Sequence, residues 1–93
     1  MDIDLLEIEL NGISGTITNY TRNPYIIGYI DALKRFMHEH NEKMIMVIVG
    51  KLVDWYKSSI DEILNNDYIS NKQDHLSTKK LLESILSYQK IKQ

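Results

Sequence analysis

His38-Glu39-His40 is the densest group of chemistry-bearing side chains in the sequence, with Glu42 and His75 as further donors. Two histidines hold zinc from a helix when they stand four residues apart, because both then leave the same face. Here they stand two apart, which turns them about 200° from each other on a helix. The segment reads better as a helix C-terminus, where the helix dipole favours an imidazolium. No metal ligand set is expected. The acidic pairs Glu7/Glu9 and Asp61-Glu62 raise the question of hydrolysis. On a strand, Glu7 and Glu9 would share one face at roughly 7 Å. No His, Arg or Gly-rich loop stands in a fixed relation to them, so that face is expected to be solvated. Ser58, Ser59 and Tyr56 form no nucleophile motif, and no phosphate-cradling or dinucleotide loop is present. The expectation is a non-enzyme with no catalytic residue, cofactor or metal.

What must position these side chains is one domain, 1–93, of ordinary globular composition, with 43% hydrophobic and 26% charged residues. There is no cysteine, which favours a reducing compartment. The Met-Asp-Ile-Asp start has neither the positive nor the apolar region of a signal peptide. The longest apolar run, Met44 to Val49, falls far short of the ~20 residues that span a bilayer. A cytoplasmic location is the expectation. Isoleucine is frequent and alanine occurs only at Ala32, a bias of AT-rich genomes. The net charge of −2 is unevenly spread: residues 1–20 carry Asp2, Asp4, Glu7 and Glu9 with no Lys or Arg, whereas 76–93 are basic. These two ends can attract each other within a chain or between subunits.

The pattern predicts an α+β fold, an N-terminal antiparallel β-hairpin over about 3–20 packed on two or three helices. Asn11-Gly12 is the favoured pair for a two-residue hairpin turn. With that register Leu6, Ile8, Leu10, Ile13 and Ile17 line one side of a ribbon. Asn23-Pro24 then opens a helix over about 24–40, with Ile26, Ile30, Leu33 and Met37 at helical spacing. Residues 42–65 admit two readings: one long helix, or a third strand over 43–49 followed by a helix. Residues 66–74 read as a loop anchored by Tyr68 and Ile69. A last helix is expected over about 75–91, with Leu82, Ile85 and Leu86 as its stripe and Leu81, Tyr88 and Ile91 beside it.

Function is expected to be protein binding by a small module, of the kind that phages and mobile elements encode to inhibit or modulate a host protein. The partner face would be the acidic hairpin surface, Glu7 and Glu9, with the tyrosines of the hairpin–helix junction, Tyr20, Tyr25 and Tyr29. Tyrosine is enriched at interfaces, and a ribbon edge can recruit a strand. A homodimer would dock through Ile45, Val49, Trp55 and Tyr56. The alternative is a small dimeric DNA- or RNA-binding regulator using Lys34, Arg35 and the lysines at 79, 80, 90 and 92. Direct nucleic-acid binding is the weaker expectation, because no recognition motif accompanies these cations.

Overall fold

The computed structural model describes the backbone of residues 3–92 and the side chains of 4–87. It contains four helices, α1 (Ile3–Tyr20), α2 (Pro24–His38), α3 (Glu42–Leu64) and α4 (Lys72–Lys92), and no strand among the described residues. Short links at 21–23 and 39–41 and a longer one at 65–71 turn the chain back each time. Each helix packs on its chain neighbours and α1 closes the ring against α4. The result is an up-down-up-down four-helix bundle.

The hairpin is therefore replaced by α1, and the α+β fold by an all-helical one. The apolar positions explain how both readings arise. Leu6, Leu10, Ile13 and Ile17 lie on one side of a ribbon, but their spacing of four, three and four is also that of a helix stripe. The core takes the helical solution: Leu6, Ile13 and Ile17 are buried and Leu10 packs beside them. Ile8 separates the two readings. A ribbon would bury it, whereas it is 76% exposed. A two-stranded ribbon leaves its outer backbone groups to water and is marginal alone, while a helix of 18 residues closes its hydrogen bonds within itself. Asn11-Gly12 then sits inside a helix, where glycine costs about 1 kcal/mol relative to alanine.

The other elements follow from local chemistry. Asn23 caps α2, its Oδ1 accepting from the Tyr25 N–H at 2.9 Å, with Pro24 at the first helical position. At the far end of α2 the Asn41 N–H donates to the Phe36 carbonyl and the His40 N–H to that of Met37. This is a Schellman closure with His40 at φ 54, where glycine is usual. Asn41 also caps α3 by accepting from the Met44 N–H. That cap puts 43–49 in one helix with the stripe that follows, so the single-helix reading of 42–65 is the one that forms and no third strand exists there. Its core face is Ile45, Ile48, Val49, Leu52, Val53, Tyr56 and Ile63. Of the expected loop anchors, Ile69 packs on the core but Tyr68 is 98% exposed. α4 begins three residues earlier than expected and buries Leu82 and Ile85. The side chains of Tyr88, Lys90, Ile91 and Lys92 lie outside the described residues. No helix is long and apolar enough to cross a membrane among the described residues.

Candidate functional site

Two places carry unusual chemistry. One is buried where α1, α3 and α4 meet. α4 presents His75, Thr78, Leu82 and Ile85 on one stripe, so His75 occupies a core position and is fully buried. Its Nδ1 lies 3.1 Å from the Tyr56 hydroxyl on α3. Burial pushes the Tyr56 phenol well above its ordinary value, with Thr78 acting weakly the other way. Tyr56 thus keeps its hydroxyl proton, and the histidine tautomer sets which of the pair donates. Burial likewise lowers His75, the neighbouring Asp74 carboxylate opposing. A neutral imidazole accepting at Nδ1 carries its proton on Nε2, and Nε2 has no hydrogen-bond partner among the described residues. Aromatic rings surround it instead. Tyr20 of α1 meets His75 edge-to-face at 5.3 Å and Trp55 at 6.0 Å, and Trp55 meets Tyr56 at 4.7 Å. Such contacts give a ring N–H weak compensation. The Tyr20 phenol is raised by burial first and the Glu62 carboxylate second. Sealed from solvent, the Tyr56–His75 pair ties α3 to α4 and offers no path to a substrate.

The second place is the outer face of α1. At 100° per residue, Leu5, Ile8, Gly12 and Gly15 fall within one ~80° sector, opposite the buried residues. Leu5 is 39% exposed, and a Cβ placed on Gly12 or on Gly15 meets nothing within 4 Å. Beside this sector, α1 and α4 enclose an open groove of about 270 Å³.

The residues expected to bind a partner do not gather in one place. Glu7 and Glu9 are both exposed but point to different sides of a helix, so the shared acidic face disappears with the ribbon. Tyr20 is drawn into the His75 cluster, Tyr29 packs half-buried on the core, and Tyr25 alone is 76% exposed. Of the expected dimer residues, Ile45, Val49 and Tyr56 are buried within this chain and Trp55 packs against them. Lys34 and Arg35 sit on α2, which makes no contact with α4, so they and Lys80 lie on opposite corners and form no single basic track. His38 and His40 end α2, on a different part of the bundle from His75, and no group of three metal-ligating side chains occurs among the described residues. The legible signal that reasoning from sequence missed is the His75, Thr78, Leu82, Ile85 spacing. The exposure of Ile8 is not legible in the ribbon pattern, because it depends on α1 being helical.

No known protein family and no solved structure matches the chain. It is similar to the uncharacterized protein YddK of Bacillus subtilis strain 168, at 27% identity over 81 residues. That stretch is 87% of this chain, and the chain spans 30% of the length of YddK.

Proposed function

We propose that this chain is a non-enzymatic helical module that binds another protein through the outer face of α1. The observation that carries the reading is the line Leu5, Ile8, Gly12, Gly15. Two aliphatic side chains stand in water on the same helical sector as two glycines. Each glycine weakens the helix by about 1 kcal/mol relative to alanine. Nothing among the described residues requires their bareness, since an added methyl group would meet open space there. A helix from another molecule supplies the missing reason. It would bury Leu5 and Ile8 and approach the α1 backbone closely at Gly12 and Gly15.

A capture experiment from a lysate of the encoding organism tests this with three baits: the wild type, Ile8→Asp on α1, and Lys57→Ala on the exposed side of α3. The expected result is one polypeptide, identified by mass spectrometry, that the wild type and Lys57→Ala retain and Ile8→Asp loses. Equal capture of every retained polypeptide by all three baits would remove α1 from the interface.

A further inference from the structure

The groove between α1 and α4 says what the partner looks like. The two helices run antiparallel in the bundle, and residues between 9 and 16 on α1 and between 74 and 81 on α4 line the groove between them. Gly12, Ile13 and Leu81 give it an apolar lining. Thr16, Ser77 and Thr78 add hydroxyls along its length. Each helix adds a carboxylate, Glu9 on α1 and Asp74 on α4.

Both carboxylates are exposed, and neither forms an ion pair among the described residues, where the one ion pair is Lys79–Glu83. α1 contains no Lys or Arg at all. Asp74 has a local reason to be acidic, because it lies in the first turn of α4 and complements the helix dipole. Glu9 lies in mid-helix and has no such reason. The groove thus presents two exposed carboxylates, one on each of its helices, beside the apolar side chains of Ile13 and Leu81. A basic amphipathic helix offers the complement, an apolar ridge flanked by cations.

We infer that the groove receives a basic amphipathic helix of the protein partner, with an apolar ridge over Gly12, Ile13 and Leu81 and cations facing Glu9 and Asp74. This rests on the protein-binding reading of α1 and adds the chemistry of the occupant. Charge complementarity of this kind sets orientation and association rate more than total affinity, so binding should weaken as salt screens it.

The probe is a synthetic helical peptide with a leucine ridge flanked by lysines, paired with its glutamate counterpart. Both are titrated into the ¹⁵N-labelled chain. The lysine peptide is expected to shift the amides of Gly12, Thr16, Ser77 and Thr78 and to bind at least ~10-fold tighter than the glutamate peptide. Double reversal, Glu9→Lys with Asp74→Lys, should invert that preference. Gly12→Leu should fill the groove, keep the helical spectrum and lose the peptide. The surface reversal guards the test against a folding defect in Gly12→Leu. Equal binding of the two peptides, shifts confined to another face, or a Gly12→Leu chain that binds as the wild type would each overturn the inference. So would a wild-type dimer in sedimentation that Gly12→Leu dissolves, since a second copy would then fill the groove. If lysate capture depends on Ile8 but ignores Glu9 and Asp74, the groove falls and the α1 reading stands. If capture ignores Ile8 as well, both fall.

Discussion

α1 and α3 stand at opposite corners of the same bundle and meet the core on different terms. α3 buries seven side chains along a continuous face and begins at an Asn41 cap. α1 buries only Leu6, Ile13 and Ile17 among its described side chains, and turns Leu5 and Ile8 outward. It also carries two glycines whose bareness nothing among the described residues uses. α3 is built to hold the fold, and α1 is built to be held and still present a face. The lesson is that an apolar residue count does not rank helices by their contribution to stability. The side on which those residues fall does.

Substitutions can separate the two roles. The largest effect is expected in α3, where Leu52→Ala empties a fully buried position and should lower the unfolding free energy by about 3 kcal/mol. Ile8→Ala on α1 should change it by no more than about 0.5 kcal/mol. Chemical denaturation of the two variants makes the contrast, and equal losses would refute it.

His75 joins the two corners, since it bonds to Tyr56 of α3 and meets Tyr20 of α1. His75→Ala should remove about 2 kcal/mol by leaving the Tyr56 hydroxyl without a buried partner. Acid should act on the same node. The unfolded imidazole takes its proton near the ordinary 6.5, the folded one only at lower pH because burial holds it down. In that window the unfolded chain binds more protons, so stability is full above about pH 6.5 and declines as pH falls through the lowered value. Melting curves across that range should show the decline in the wild type and a flatter profile in His75→Gln. Identical profiles would place the acid sensitivity elsewhere. The smallest effect is local to the α2–α3 link. His40→Gly relieves the left-handed backbone at φ 54 and should raise stability by about 0.5–1 kcal/mol in the same denaturation assay.

Much of the bundle was legible in the residues. The Asn23-Pro24 start of α2 and its stripe Ile26, Ile30, Leu33 and Met37 appear as read. The stripe after Gly50 carried α3 in the right phase, and only the continuous apolar run before it left strand and helix unresolved. α1 was misread because its buried residues satisfy two periodicities at once, and Asn11-Gly12 tipped the balance toward a turn. What decides between them is tertiary: three other helices leave a channel that a fourth fills and a ribbon does not. The expected partner residues Glu7 and Glu9 inherited that error. The His75 cluster was hidden for another reason. Histidine was weighed as a ligand, while its spacing with Thr78, Leu82 and Ile85 marked it as core.

The proposed interface requires Gly12 and Gly15 to stay bare at a cost to the stability of α1. The direct measurement is the double substitution Gly12→Ala with Gly15→Ala, read for stability and for capture of the lysate polypeptide. Stability should rise by about 1–2 kcal/mol while capture falls, because methyl groups strengthen the helix and hold a partner helix away. Raised stability with undiminished capture would contradict the account.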